Sequence, residues 1–255
     1  MQKKGEPFIK IRDLTKRFRN KVVLDALNLD IYKGETLVII GQSGEGKSVL
    51  LKHIIGLIKT SVGEISIDGV NIVGLSESKL NKVRKRFGML FQNAALFDSL
   101  TVYENVGFGL IEHTKMKKSD IQEKVKELLA LVGLDAIEEL KPAQLSGGMK
   151  KRVGLARALA LDPEIILYDE PTTGIDPILG DAINELILSL HDRYHPTSIV
   201  VTHDMRSAFR IADRIGMLYQ GKIIEHGSPK EIIKSKVPIV HQFLSSAGGL
   251  EKFNQ

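Results

Sequence analysis

The chain has 255 residues, 43% of them hydrophobic, which suits one large α/β domain or a core domain with a subdomain inserted in it. Cysteine is absent, so disulfides and thiolate metal sites are excluded, and no apolar run approaches the ~20 residues that cross a bilayer. The net charge of +5 is spread along the chain and fits a mildly basic protein rather than a nucleic-acid or anionic-lipid arm. Met1–Pro7 carries charge but no apolar stretch, so no secretory signal is expected there. A cytoplasmic protein is expected, with any membrane association made through a partner.

Residues 8–11, 22–31 and 64–68 show β-branched alternation, and Asp68-Gly69 is a hairpin signal, so a small antiparallel sheet is predicted near the N-terminus. Thr36–Ile40 reads as a buried strand, and Lys47–Leu57 as the helix after it. The basic cluster Lys79–Arg86 reads as a solvated helix leading into strand Phe87–Phe91. Residues 93–161 read as mostly helical. Ser119-Asp120-Ile121-Gln122 matches a capping box, Ile121, Val125, Leu128, Leu129 and Val132 then fall on one helical face, and Gly133 is the expected stop. After Pro163 the α/β alternation returns: strand Ile165–Asp169, a helix near Leu179–Tyr194, strand Ser198–Thr202, a helix near Met205–Ala212, and strand Arg214–Tyr219. Gln220-Gly221 then turns the chain into Lys222–Glu225. Such alternation predicts parallel strands joined by right-handed crossovers.

Between the strand at 36–40 and its helix stands Gly41-Gln42-Ser43-Gly44-Glu45-Gly46-Lys47-Ser48, a complete G-x-x-x-x-G-K-[ST] loop followed by Val49. A triphosphate needs several donors converging on a small volume. Backbone N–H groups of a glycine-rich turn at a helix N-terminus supply them, Lys47 adds a charge for the β- and γ-phosphates, and Ser48 a hydroxyl for Mg²⁺. Asp169 ends an apolar strand, where a carboxylate can reach a Mg²⁺ shell, and Glu170 is the natural general base for an attacking water. Ser146-Gly147-Gly148 opens a helix and makes a second anion-seeking helix end.

Leu145-Ser146-Gly147-Gly148-Met149 lies downstream of the phosphate loop and just before Ile165–Glu170. A phosphate loop, this signature and an apolar strand ending in Asp-Glu, in that order, resemble the ATPase subunit of an ABC transporter. The resemblance covers about residues 8–245. It implies a P-loop NTPase core with a mostly parallel sheet, an N-terminal antiparallel β subdomain and an inserted α-helical subdomain. The single domain then divides into 8–91 with 162–245 as nucleotide-binding core, 93–161 as helical signature subdomain, and 246–255 as C-terminal tail. ATP and Mg²⁺ are the implied cofactors. Ser146, Gly147 and Gly148 are implied to complete the site of a second copy, giving a head-to-tail homodimer. Gln92 resembles the Q-loop glutamine at Mg²⁺ or water, Asp176 the D-loop aspartate, His203 the switch histidine at the γ-phosphate, and Phe18 the aromatic that stacks on adenine, where tyrosine is more usual. Singly, a histidine after a strand or a phenylalanine at a strand end has a bland structural reading; the order of the set gives them these roles.

A narrower resemblance rests on Phe91–Val106 and Ile111–Thr114, on Met149 where many ABC proteins carry glutamine, on Arg84-Lys85-Arg86, and on Gln242-Phe243-Leu244. These segments are similar to the lipid-transport ATPases of the Mla (MlaF-type) branch, with their plant and actinobacterial relatives, which serve MCE-type systems. That branch implies phospholipid transport across the envelope with an integral-membrane permease (MlaE-like), an MCE-domain protein and a small STAS-type subunit. The ATPase is then peripheral, on the cytoplasmic face of the inner membrane, touching membrane only through the permease and binding no nucleic acid. An importer ATPase for a small solute such as an amino acid, a regulatory ABC ATPase that moves no substrate, and a soluble ABC ATPase of DNA repair or translation are the alternatives. The chain ends soon after Phe243, which puts in doubt the longer tail with which some relatives grip the neighbouring subunit.

Overall fold

The computed structural model describes residues 5–246. In chain order the elements are β1 (Ile9–Phe18), β2 (Lys21–Ile31), β3 (Thr36–Ile40), α1 (Lys47–Ile54), β4 (Val62–Ile67), β5 (Val70–Asn71), α2 (Glu77–Arg84), β6 (Phe87–Leu90), α3 (Val102–His113) and α4 (Lys118–Leu131). A 3₁₀ turn at Pro142–Gln144 precedes α5 (Gly147–Leu159), β7 (Ile165–Asp169), α6 (Pro177–Tyr194), β8 (Thr197–Thr202), α7 (Met205–Ile211), β9 (Arg214–Tyr219), β10 (Lys222–Gly227), α8 (Pro229–Ile233) and α9 (Pro238–Ser246). The described residues form two compact units, one from the chain up to Arg84 together with that from Leu190 on, the other Lys85–Ser189.

The first unit holds an antiparallel sheet in the order β2-β1-β4-β5, as expected near the N-terminus. Its hairpin at Asp68-Gly69 pairs Ile67 with Val70. The unit's other strands run β10-β9-β3-β8, with β3 parallel to both β8 and β9. Every residue of β3 and of β8 is buried. Strands covered on both faces read as unbroken apolar runs, which is why Thr36–Ile40 and Ser198–Thr202 stand out in the sequence. Helix α1 stops at Ile54 instead of running to Leu57. The reason is Gly56, which takes the left-handed conformation (φ 72°) while Gly56 N–H donates to His53 O and Leu57 N–H to Lys52 O, a Schellman ending.

The second unit pairs β6 with β7 in parallel and carries α3, α4 and α5. Both α3 and α4 pack on α5. Ile121, Val125, Leu128, Leu129 and Val132 are all buried, as their helical spacing predicts, and each such side chain contributes about 1.5–3 kcal/mol relative to exposure. The expected capping box at Ser119–Gln122 is absent. Helix α4 begins one residue before Ser119, its N-cap is Lys117 without a side-chain bond, and the Ser119 hydroxyl reaches only Asp120 Oδ1. A serine already inside the first turn has helical backbone angles and cannot cap. Capping boxes instead close on α3, between Thr101 and Glu104, and on α8, between Ser228 and Glu231.

His53 sits in α1 at 1% exposure, and burial holds its pKa below the ordinary 6.5, outweighing the Val49 carbonyl that favours the charged form. The unfolded chain therefore binds this proton more readily than the folded one. Stability contributed by neutral His53 is present above pH 6.5 and is lost as pH falls through the lower folded pKa. Urea unfolding at pH 5, 6 and 7 should show a decline towards acid that is shallower in His53→Gln, by at most about 1.4 kcal/mol per pH unit for one proton. Equal slopes in the two proteins would remove His53 as the cause.

Candidate nucleotide site

In the first unit, β3 delivers the chain into the phosphate loop at a point where backbones crowd. A Cβ on Gly41 would lie 2.5 Å from the Leu218 carbonyl oxygen of β9. Gly46 has φ 100°, and a Cβ there would lie 2.8 Å from Val23 Cγ1 of β2. Gly46 is also the N-cap of α1, and no side chain caps that helix, whereas Thr101, Ser146, Asp204 and Ser228 cap α3, α5, α7 and α8. An N-terminus built this way, with glycine conformations curling the chain around it, fits an anion. Lys47 is 5% exposed and its Nζ donates to Gly41 O at 2.7 Å and Gln42 O at 3.1 Å, so the ammonium lies over the loop. Gln42, Ser43 and Gly44 are exposed, while Ser48 and Val49 are half-buried on the first turn of α1. The Glu45 carboxylate accepts the Gln220 N–H at 2.6 Å, which fastens the loop to the β9–β10 turn.

The register of β3 with β8 pairs Ile40 with Thr202. Gly41 and His203, each the next residue, therefore leave the same end of the sheet side by side. His203 is exposed on a turn held by Asp204, which caps α7 through Arg206 N–H and accepts the Ser207 hydroxyl at 2.6 Å. Phe18 closes β1 opposite Lys21 of β2, at 45% exposure, with Lys16 Nζ 5.2 Å from its ring centroid. It stands at the tip of the hairpin whose β2 strand rests on Gly46. The first unit thus gathers the phosphate loop, Phe18 and His203.

The second unit gathers the rest. Leu90 of β6 pairs with Tyr168 of β7, so Gln92 and Asp169-Glu170 leave adjacent strands at one end. Asp169 and Glu170 are 4% and 7% exposed, and the Glu170 Oε2 accepts the Thr173 hydroxyl at 3.1 Å. Glu170 has φ 50°, as strained as Ala94 (58°) and Ala95 (48°) after Gln92; such non-glycine conformations cost on the order of 1–3 kcal/mol each. Ser146 caps α5 through the Met149 N–H. Beside it, the Asp176 carboxylate accepts Leu179 N–H at the start of α6, which gives that residue a structural duty. Gly147 does not have a positive φ, and a Cβ on it would meet nothing nearer than Ile175 Cγ2 at 3.7 Å, an ordinary contact.

Sequence reasoning missed Lys151. At 4% exposure its Nζ donates to the Gln92 carbonyl and, at 3.0 Å, to the Glu170 carbonyl. Burial pushes its pKa down, and the charges of Asp169 and Glu170 push it back up. Within Met149-Lys150-Lys151-Arg152 it looks like part of a solvated basic face. The available signal is spacing, since Gly148, Lys151 and Leu155 share the buried face of α5.

Among the described residues, no group of three or more His, Cys, Asp or Glu could hold a metal ion, and no helix is long and apolar enough to cross a membrane. A family model for the ABC transporter matches residues 24–173. The chain belongs to the ABC transporter family. It is an ATPase, and its nucleotide is ATP. It is 44% identical over 237 residues to the mkl ATP-binding protein of Mycobacterium leprae, named for ribonucleotide transport, matching 93% of this chain and 68% of that one. It is 43% identical over 240 residues to MlaF, the ATP-binding protein of an intermembrane phospholipid transport system of Haemophilus influenzae, matching 94% and 91%. In structure it is similar to the ATP-binding cassette MJ0796 in a dimeric post-hydrolysis state with ADP and Pi, with TM-score 0.80, 35% identity, and 86% and 98% of the two chains covered.

The two glycine environments separate backbone requirement from everything else. Gly46→Ala should destabilise the chain by roughly 1–2 kcal/mol through its left-handed conformation alone and should impair ATP binding. Gly147→Ala should leave stability within about 0.5 kcal/mol. Thermal melts and nucleotide titrations of both variants check this; equal losses of stability in both would contradict it.

Proposed function

We propose that this chain is the ATP-hydrolysing subunit of a phospholipid transporter of the Mla type. It works as a homodimer on the cytoplasmic face of the inner membrane, against an integral-membrane permease joined by an MCE-domain protein and a small STAS-type subunit. The observation that carries the cargo is the likeness to the Haemophilus influenzae phospholipid-transport protein across more than nine-tenths of both chains. The mycobacterial relative named for ribonucleotide transport is as similar, but this chain spans only 68% of it. Phe91–Val106 and Met149 agree with the phospholipid branch.

The phosphate-loop N–H groups of residues 41–49 and the Lys47 ammonium hold the phosphates, and Phe18 stacks on the adenine. Hydrolysis of the bound ATP with Mg²⁺ supplies the free energy for transport. The Ser48 hydroxyl, the Gln92 amide oxygen and the Asp169 carboxylate are hard oxygen donors of the kind Mg²⁺ takes. Glu170 accepts a proton from the attacking water, and His203 steadies the γ-phosphate end. Ser146, Gly147 and Gly148 serve the nucleotide of the second copy. Support for that last role comes from Gly147, since neither backbone angle nor packing within this chain requires glycine there. Glycine there leaves the main chain open to a close approach from outside. Asp176, by capping α6, shapes the loop next to that surface. ATP closes the dimer to the extent that it binds the closed state better than the open one, and hydrolysis releases it.

Glu170→Gln should bind ATP normally, lose about 10²–10⁴-fold in turnover, and accumulate as an ATP-bound dimer on size exclusion. Undiminished turnover would remove Glu170 as the base. Tagged Glu170→Gln with ATP should recover, from native membranes, a multi-span permease with an MCE-domain protein and phospholipid, identified by mass spectrometry. A solute permease, a peptidoglycan hydrolase partner or nucleic acid in that position would overturn the cargo and leave the ATPase chemistry standing.

A further inference from the structure

We propose that Lys151 is a positioning residue that locks the Gln92 loop and the Glu170 turn to the signature helix α5. The inference rests on the roles given above to Gln92 and Glu170. A buried ammonium is costly unless it is paired and hydrogen-bonded. Lys151 meets that demand with the main-chain carbonyls of the two residues whose side chains are assigned to the chemistry, Gln92 and Glu170. The adjacent carboxylates of Asp169 and Glu170 balance its charge.

Both ends of the bridge are strained. Glu170 is left-handed, as are Ala94 and Ala95 just beyond Gln92. Conformations of this kind persist only where surrounding contacts over-determine them. Helix α5 supplies those contacts. Besides Lys151, the Arg157 guanidinium donates to Ala94 O at 2.6 Å and to Ala95 O at 2.7 Å. Two cations on one helix therefore hold the Gln92 loop, and one of them also holds the Glu170 turn. The same helix begins at Ser146-Gly147. A displacement of α5 from that end is carried to Gln92 and Glu170 together, because Lys151 leaves neither free to lag.

The test uses the purified full-length chain with Lys151→Met and Lys151→Arg. In Lys151→Met, kcat for ATP should fall between about tenfold and a hundredfold, the cost expected of misplaced catalytic groups, while KM changes less than about threefold. Lys151→Arg should recover most of kcat, because it keeps both charge and donors. Hydrogen exchange should quicken at Ala94, Ala95 and Thr173 in Lys151→Met and stay unchanged over residues 41–48. If Lys151→Met fails to fold, Lys151→Gln carries the same readouts. A wild-type kcat in the neutral variant, a loss expressed mainly in KM, no rescue by arginine, or unchanged exchange at these amides would overturn the proposal. Glu170→Gln is assayed alongside. Full activity there removes Glu170 as the base and leaves exchange to decide on Lys151. An inactive Glu170→Gln beside a wild-type Lys151→Met removes Lys151 alone.

Discussion

Everything at this site depends on parallel strands that are buried on both faces and must end. Inside the sheet, β3 satisfies its main chain through β8 and β9, and its side chains are sealed from water. At the strand's C-terminal end that pairing stops, and the next main-chain groups need other partners. The phosphate loop is one answer and the His203 turn is another, set side by side by the register of β3 with β8. In the second unit β6 and β7 repeat the constraint, so that Gln92 and Asp169-Glu170 follow adjacent strand ends. Function at the carboxyl ends of parallel strands is the general expectation for open α/β sheets.

Buried charge is the second constraint. Lys47, Lys151, Asp169, Glu170 and Arg214 are all buried. Arg214 is met by Glu35 at 2.7 Å and by the Asp30 carbonyl, which ties β9 to the segment leading into β3. That arrangement accounts for itself structurally, with both partners supplied by the fold. Lys47 and Lys151 both donate to main-chain carbonyls of the chemical segments, and the charges of Asp169 and Glu170 also bear on Lys151. Lys47, over the phosphate loop, can exchange carbonyls for phosphate oxygens. Lys151, in the interior of α5, has no comparable alternative and acts as a fixed strut.

The sequence made legible what is local. The phosphate loop, the hairpin at Asp68-Gly69, the apolar strands and the amphipathic face of α4 each declare themselves within a dozen residues. Less legible was β1, predicted over 8–11 and running to Phe18, because register shifts after Ile11, Leu14 and Lys16 break the period-2 alternation. Helix α4 begins before its apparent capping box, since nothing in Lys117-Lys118 prevents the helix from starting there. Lys151 was hidden because a basic residue in a basic run reads as solvated, and only the helical phase of α5 reveals which of the neighbours turns inward. The partners of a buried cation are main-chain atoms distant in sequence, and a residue string records no such contact.

Glycine offers a way to distinguish what a fold needs from what its function needs. At Gly46 the chain's own backbone demands glycine twice, through φ 100° and through the closeness of Val23. At Gly147 it demands nothing: the backbone is helical and the space beside it is open enough for a methyl group. Glycine at a first helical position also forfeits the conformational stiffness that alanine would contribute, about 0.5–1 kcal/mol in a helix interior and less at an end. A glycine that relieves neither strain nor crowding in its own chain leaves room for something the chain meets. Next to the N-cap serine, one turn before Lys151, that room lies beside the main-chain N–H groups of the first turn of α5. That room agrees with the proposal that Gly147 faces an anion held by a second copy.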